Sequence, residues 1–156
     1  RLAKATAGLL DPISLTLLPR LVRGQRDIQK ASAGLLVVGG GSLGAALWLA
    51  GPALVEAVAG RAWPEAGRTL RIFALFPPGV ALCQIFGIHR LVPGGRDWTL
   101  AGVVLLSAIL HGGALVWVYR AVPSEQAHLG LAWAAVGSQL FQVVAFRVAL
   151  GQGVGE

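Results

Sequence analysis

Residues 31–55 read ASAGLLVVGGGSLGAALWLAGPALV, a run of 25 residues without Asp, Glu, Lys or Arg. A helix needs about 20 apolar residues to cross the hydrocarbon core of a bilayer, so this run is long enough to be a span. One such run is compatible with a buried core helix. The chain has three more: 18 uncharged residues at Ile72–His89, 22 at Trp98–Tyr119 and 21 at Gln126–Phe146, each flanked by charged residues. Four in 156 residues predict an all-α, polytopic transmembrane helical bundle. Part of a fifth span precedes them, since Ala5–Leu18 is apolar except for Asp11, Ser14 and two threonines and closes on Pro19-Arg20.

Composition points the same way. Hydrophobic residues make up 55% and charged residues 13% of the chain, and the mean hydropathy is +0.69. Soluble domains carry about 25% charged residues, so a soluble globular domain and a disordered chain are both disfavoured. The net charge of +6 comes from Lys and Arg spread singly over the chain. They form no basic stripe for nucleic acid and read better as membrane-flanking charges. The single cysteine, Cys83, excludes an internal disulfide framework and a cysteine-based zinc site. The absence of Met and the Arg at position 1 predict a fragment lacking its N-terminal part. The expected organisation is the end of a helix and a cytoplasmic link at 1–30, a four-helix transmembrane domain at 31–150, and a cytoplasmic tail at 151–156.

The charges also predict an orientation. One side carries Arg20, Arg23, Arg26, Lys30, Arg90, Arg96 and Arg147; the other carries Arg61, Arg68, Arg71 and Arg120. Cytoplasmic loops are enriched in Lys and Arg, so the first side is expected inside.

Within the first run, Gly39–Gly44 reads GGGSLG, which fits the G-x-G-x-x-G dinucleotide fingerprint. That fingerprint requires a preceding strand and a βαβ unit. In a 25-residue uncharged helix, Gly40 and Gly44 instead make a small-xxx-small pair that admits a neighbouring helix. Pro77-Pro78, near the middle of the second run, removes backbone donors. The pair reads as a hinge in a transporter helix or as a static kink. Polar residues well inside the runs include Gln84, Ser107, His111, Ser138, Gln139 and Gln142. Ser107 with His111, and Gln139 with Gln142, each share a helix face. They line a polar cavity or make interhelical hydrogen bonds. No carboxylate lies in the four runs, which leaves Asp11 as the candidate buried acid. The histidines at 89, 111 and 128 have no metal-ligand spacing. No enzyme, metal or cofactor is expected.

Four stretches carry a family resemblance: PISLTLLPRLVRGQRDIQKA (12–31), LAGPALVEAVAGRAWPEAGRTLRIFAL (49–75), LVPGGRDWTLAGVVLLSAILH (91–111) and HLGLAWAAVGSQLFQVV (128–144). Together they resemble the C-terminal polysaccharide-biosynthesis domain of bacterial polysaccharide flippases. These belong to the multidrug/oligosaccharidyl-lipid/polysaccharide exporter superfamily, whose members are MATE-like. The resemblance implies a transporter of two six-helix lobes in the cytoplasmic membrane, working by alternating access. Its implied partners are membrane lipids, a polyprenyl-pyrophosphate-linked oligosaccharide as substrate, and an N-terminal lobe of the same chain. Asp11 and Ser14 become the first cavity-side candidates, followed by His111, Gln139 and Gln142. A multidrug or lipid-precursor exporter of the same superfamily is an alternative, as is a membrane scaffold that transports nothing.

Overall fold

The computed structural model describes residues 8, 10–59 and 64–152. Among them every regular element is helical and none is a strand. The partial span is α1 (Asp11–Val22), which has Pro12 in its first turn and runs through Pro19. Its last turn is closed by a hydrogen bond from Gly24 N to Leu21 O at 3.0 Å. Gly24 has φ of 74°, where a side chain would be strained, and this lets the chain reverse into α2 (Arg26–Ala59).

α2 has 34 residues, or about 51 Å at 1.5 Å per residue. That exceeds the hydrocarbon thickness of about 30 Å, so its ends reach past the uncharged run that identified it. Absence of charge marks where lipid is tolerated, whereas a helix ends only where its backbone bonds stop.

The second span is broken into three pieces. α3 (Pro64–Phe73) starts at Pro64-Glu65, as Pro and an acid in the first turn predict. Gly67, Leu70 and Ala74 form its buried stripe, while Glu65, Arg68 and Arg71 are exposed. The chain then turns at Ala74-Leu75 into α4 (Phe76–Cys83), which has proline in its first turn. A π-helical segment, Gln84–Leu91, continues without interruption. α5 (Asp97–Ala121) and α6 (Ala127–Gly151) complete the chain. Asp97 sits inside the first turn of α5 without a side-chain capping bond. Ser124–Gln126 form a turn ahead of α6.

Four segments are long and apolar enough to cross a membrane: Asp27–Val58, Glu65–Leu91, Asp97–Ala121 and Ala127–Gly151. The broken span is the core of the bundle, with 44% of its apolar 18-residue stretch buried against 11% to 22% in the other three. It is flanked by α2 on one side and α6 on the other, and α5 packs mainly on α6 while also touching the π-helical segment. The outward faces are large and apolar: Leu49, Val58, Leu105 and Val144 are all exposed. This is the surface of a multi-pass membrane protein, with lipid as its neighbour.

The two ends of the bundle are distinct. At one end Gln29 Nε2 donates to His89 O at 2.8 Å, and Gly87 lies against Leu100 and Phe146. At the other, Gly51 receives Leu70 and Gly130 receives Val118. The helices therefore run antiparallel. Arg20, Arg23, Lys30, Arg90, Arg96 and Arg147 share the first end, and Arg68, Arg71 and Arg120 the second. Arg61 and Trp63 lie outside the described residues, as do positions 153–156 of the expected tail.

Candidate functional site

The broken span meets α2 through glycine. A Cβ added at Gly40 would lie 2.8 Å from Ala81 Cβ and 3.0 Å from Pro77 O. At Gly44 it would lie 2.6 Å from Ala74 O and 3.1 Å from Pro78 Cδ. The GGGSLG run is thus helix, and its i,i+4 glycines are a packing notch for the proline turn. The notch also accommodates a backbone defect. Pro77 and Pro78 have no N–H, so Phe73 O and Ala74 O lose their α-helical donors. Ala74 O is instead turned against Gly44 at a distance only glycine permits.

Below this seam, a chain of buried polar side chains crosses three elements. Ser14 Oγ on α1 donates to Gln84 Oε1 at 2.6 Å. Ser14 Oγ also lies 3.2 Å from His89 Nε2. On the other side of the ring, His89 Nδ1 is 3.3 Å from Ser32 Oγ of α2. Ser32 Oγ donates to Gln29 O at 3.0 Å. Ser14, Ser32, Gln84 and His89 are all at most 5% exposed, and His89 is fully buried. Burying so many polar groups in an apolar bundle is costly unless they satisfy one another, which is what this chain does.

The π-helix makes it possible. Gln84 and His89 are five residues apart. In an α-helix that spacing puts side chains about 140° apart around the axis, given 3.6 residues per turn. The i→i+5 bonding of a π-helix brings i and i+5 nearer the same face, so both reach one serine. Gly87 between them lets the wider helix pack against Leu100 at 3.1 Å and Phe146 at 3.2 Å from where its Cβ would be.

The other candidates occupy separate places. Gln139 Nε2 donates to Cys83 Sγ at 3.0 Å, and Cys83 Sγ lies 3.7 Å from Gln142 Oε1. This contact joins α4 to α6, where Gly79 leaves room for Gln139. Ser107 Oγ donates to Ser138 O at 3.1 Å. His111 Nδ1 lies 3.3 Å from Ala134 O, beside a crevice of about 290 Å³ that includes Leu110, Trp133 and Phe141. The candidates therefore fall into three groups, with Ser14, the two glutamines and His111 apart from one another. The side chain of Asp11 lies outside the described residues.

Over 115 residues the chain is 28% identical to a protein from Shigella dysenteriae named "Putative O-antigen transporter". The alignment covers 71% of this chain and 29% of that protein. The chain thus spans less than a third of the length of the relative it matches. No family profile matches the chain, and no solved structure matches it.

The polar chain was only partly visible in the sequence. Ser14 is a candidate only through the family resemblance, together with Asp11. Gln84 counted only as an intramembrane polar residue. His89 closed the second uncharged run and read as one of three scattered histidines. The signal was the pair Gln84 and His89, but at α-helical spacing they do not converge. Ser32 and Gln29 had no signal beyond their place at the start of α2.

Proposed function

We propose that this chain is the C-terminal part of a flippase. The intact protein would carry polyprenyl-pyrophosphate-linked oligosaccharide across the cytoplasmic membrane for polysaccharide biosynthesis. The observation that carries the reading is the 28% identity over 115 residues to a protein named as an O-antigen transporter. A bundle of four apolar, antiparallel helices supports it, because a lipid-linked glycan is moved by a membrane-embedded path. In this reading Asp11, Ser14, His111, Gln139 and Gln142 are the residues to test for contact with the glycan. The end of the bundle bearing Arg20, Arg23, Lys30, Arg90, Arg96 and Arg147 faces the cytoplasm, in keeping with the positive-inside rule.

The broken span gives the proposal a moving part. Discontinuous helices are where many transporters place their sites. Here the break lies at Ala74-Leu75, ahead of Pro77 and Pro78, and these two prolines are the hinge candidates. The deciding experiment is complementation. The gene encoding the intact protein is expressed in a cell deleted for its own oligosaccharide flippase, and surface polysaccharide is measured. Restored polymer is the expected result. Undecorated cells that retain lipid-linked precursor on the inner leaflet, despite protein in the membrane, would overturn the assignment.

A further inference from the structure

The buried polar chain places a serine oxygen at each ring nitrogen of His89. A hydroxyl has a single hydrogen to donate, and a neutral imidazole has one N–H and one acceptor nitrogen. Ser32 Oγ gives its hydrogen to Gln29 O, and Ser14 Oγ gives its hydrogen to Gln84 Oε1. Both serine oxygens therefore turn lone pairs toward the ring, one at Nδ1 and one at Nε2. Two acceptors on opposite sides match a ring that carries a proton on each nitrogen.

We propose that His89 is a proton-binding site, and that its proton ties α1 and α2 to the π-helical segment. With the proton bound, both ring nitrogens donate, one to Ser14 and one to Ser32. On release the proton passes to water at the arginine-rich end, where Arg90, the next residue, is exposed. The ring then keeps one N–H and one acceptor. To satisfy that acceptor, either Ser14 turns its hydrogen away from Gln84 or Ser32 turns its hydrogen away from Gln29 O. Either exchange gives up one of the bonds now in the chain, so the two protonation states hold α1 and α2 differently.

Charged and titratable groups on the surrounding elements point elsewhere. On α1, Arg20 is exposed; on α2, Asp27 and Lys30 are exposed. Asp97 at the start of α5 and Arg147 on α6 are exposed, and Arg96 is half-buried in the turn before α5. Cys83 on α4 faces Gln139 and Gln142. The side chains of Asp11 and Arg26 lie outside the described residues. The described partners of the ring are thus neutral hydroxyls, whose orientation follows the ring's proton.

The test is ¹⁵N-histidine NMR of the intact protein in lipid nanodiscs, with His89→Gln used to assign the His89 signals. Between about pH 5 and pH 8, the range in which histidine changes charge, the expected result is a transition. Both ring nitrogens are protonated at the acid end and one at the alkaline end. Ser14→Ala and Ser32→Ala each remove one acceptor of the charged ring and should displace the transition. A ring that holds one proton throughout would overturn the proposal, as would a transition that neither serine variant moves. The wild-type titration decides the first point even if the variants do not fold. The measurement is independent of what the intact protein transports, so failure of the flippase reading would leave this result standing.

Discussion

The broken span is held by two unlike seams. Its upper part, the proline turn and α4, lies in the Gly40–Gly44 notch of α2 and is fastened by shape. Its lower part, the π-helical segment, is fastened by hydrogen bonds through Ser14, Gln84, His89 and Ser32. A bilayer offers helices no hydrophobic reward for meeting, because lipid tails are as apolar as the side chains. Close approach and polar pairing are the two remedies, and this helix uses one at each end. A shape seam is intolerant of added atoms, whereas a polar seam is intolerant of lost ones.

That contrast sets an order of effects. The largest should come from filling the notch. In Gly44→Val the new side chain meets Ala74 O, a backbone atom that cannot swing aside. Overpacking of this kind costs about 1 to 3 kcal/mol, read as a lower unfolding midpoint of the intact protein in lipid or detergent. If Gly44→Val unfolds with wild type, the notch is not a steric seam. Deletion in the polar seam should cost less. Ser14→Ala removes a donor to Gln84 and a partner of His89, and interhelical hydrogen bonds in membranes are worth about 0.6 kcal/mol on average and about 1.7 at most. Serine should be replaceable by threonine at position 14 with smaller loss than by alanine, because the hydroxyl is what counts there.

The hinge prediction concerns rate more than stability. Pro77→Ala combined with Pro78→Ala returns donors that can reach Phe73 O and Ala74 O, and this straightens the turn. Transport by the intact protein should slow several-fold while its amount in the membrane holds. An unchanged rate would make the break a static kink. The smallest effects belong outside both seams. Gly41, next to the notch, has nothing within 4 Å of an added Cβ, so Gly41→Ala should change stability by less than about 0.5 kcal/mol. Gln25→Cys, in the exposed link between α1 and α2, should leave function intact and react only with reagent that has entered the cell. Cys83 and any other native cysteine of the intact protein are replaced by alanine in the same background. Modification from outside would invert the proposed topology.

Much of this architecture was legible in the chain. The spacing of charges located all four spans, because a charge in hydrocarbon is expensive and the chain obeys that limit. The i,i+4 glycines announced a close contact, though not that the proline turn fills it. The element ends were less legible. α2 begins at Arg26, ahead of the uncharged run, since a helix in water tolerates the charges that a helix in lipid does not. The polar seam was the hardest to foresee. Its central residue shares Ser14 with a neighbour five positions away, a spacing that means nothing until the backbone is known to be π-helical there.

That local winding has a mechanical consequence. A π-turn spends more residues on the same stretch of axis than an α-turn, so Gln84–Leu91 is a short length of slack in the chain. Rewinding it as α would carry His89 round and away from Ser14, and push Arg90 and the Val92–Arg96 turn outward along the axis. The bonds that Ser14 and Ser32 make to the ring act as a catch on that spring. The most buried helix of the bundle thus carries its own means of changing length without disturbing the glycine notch above it.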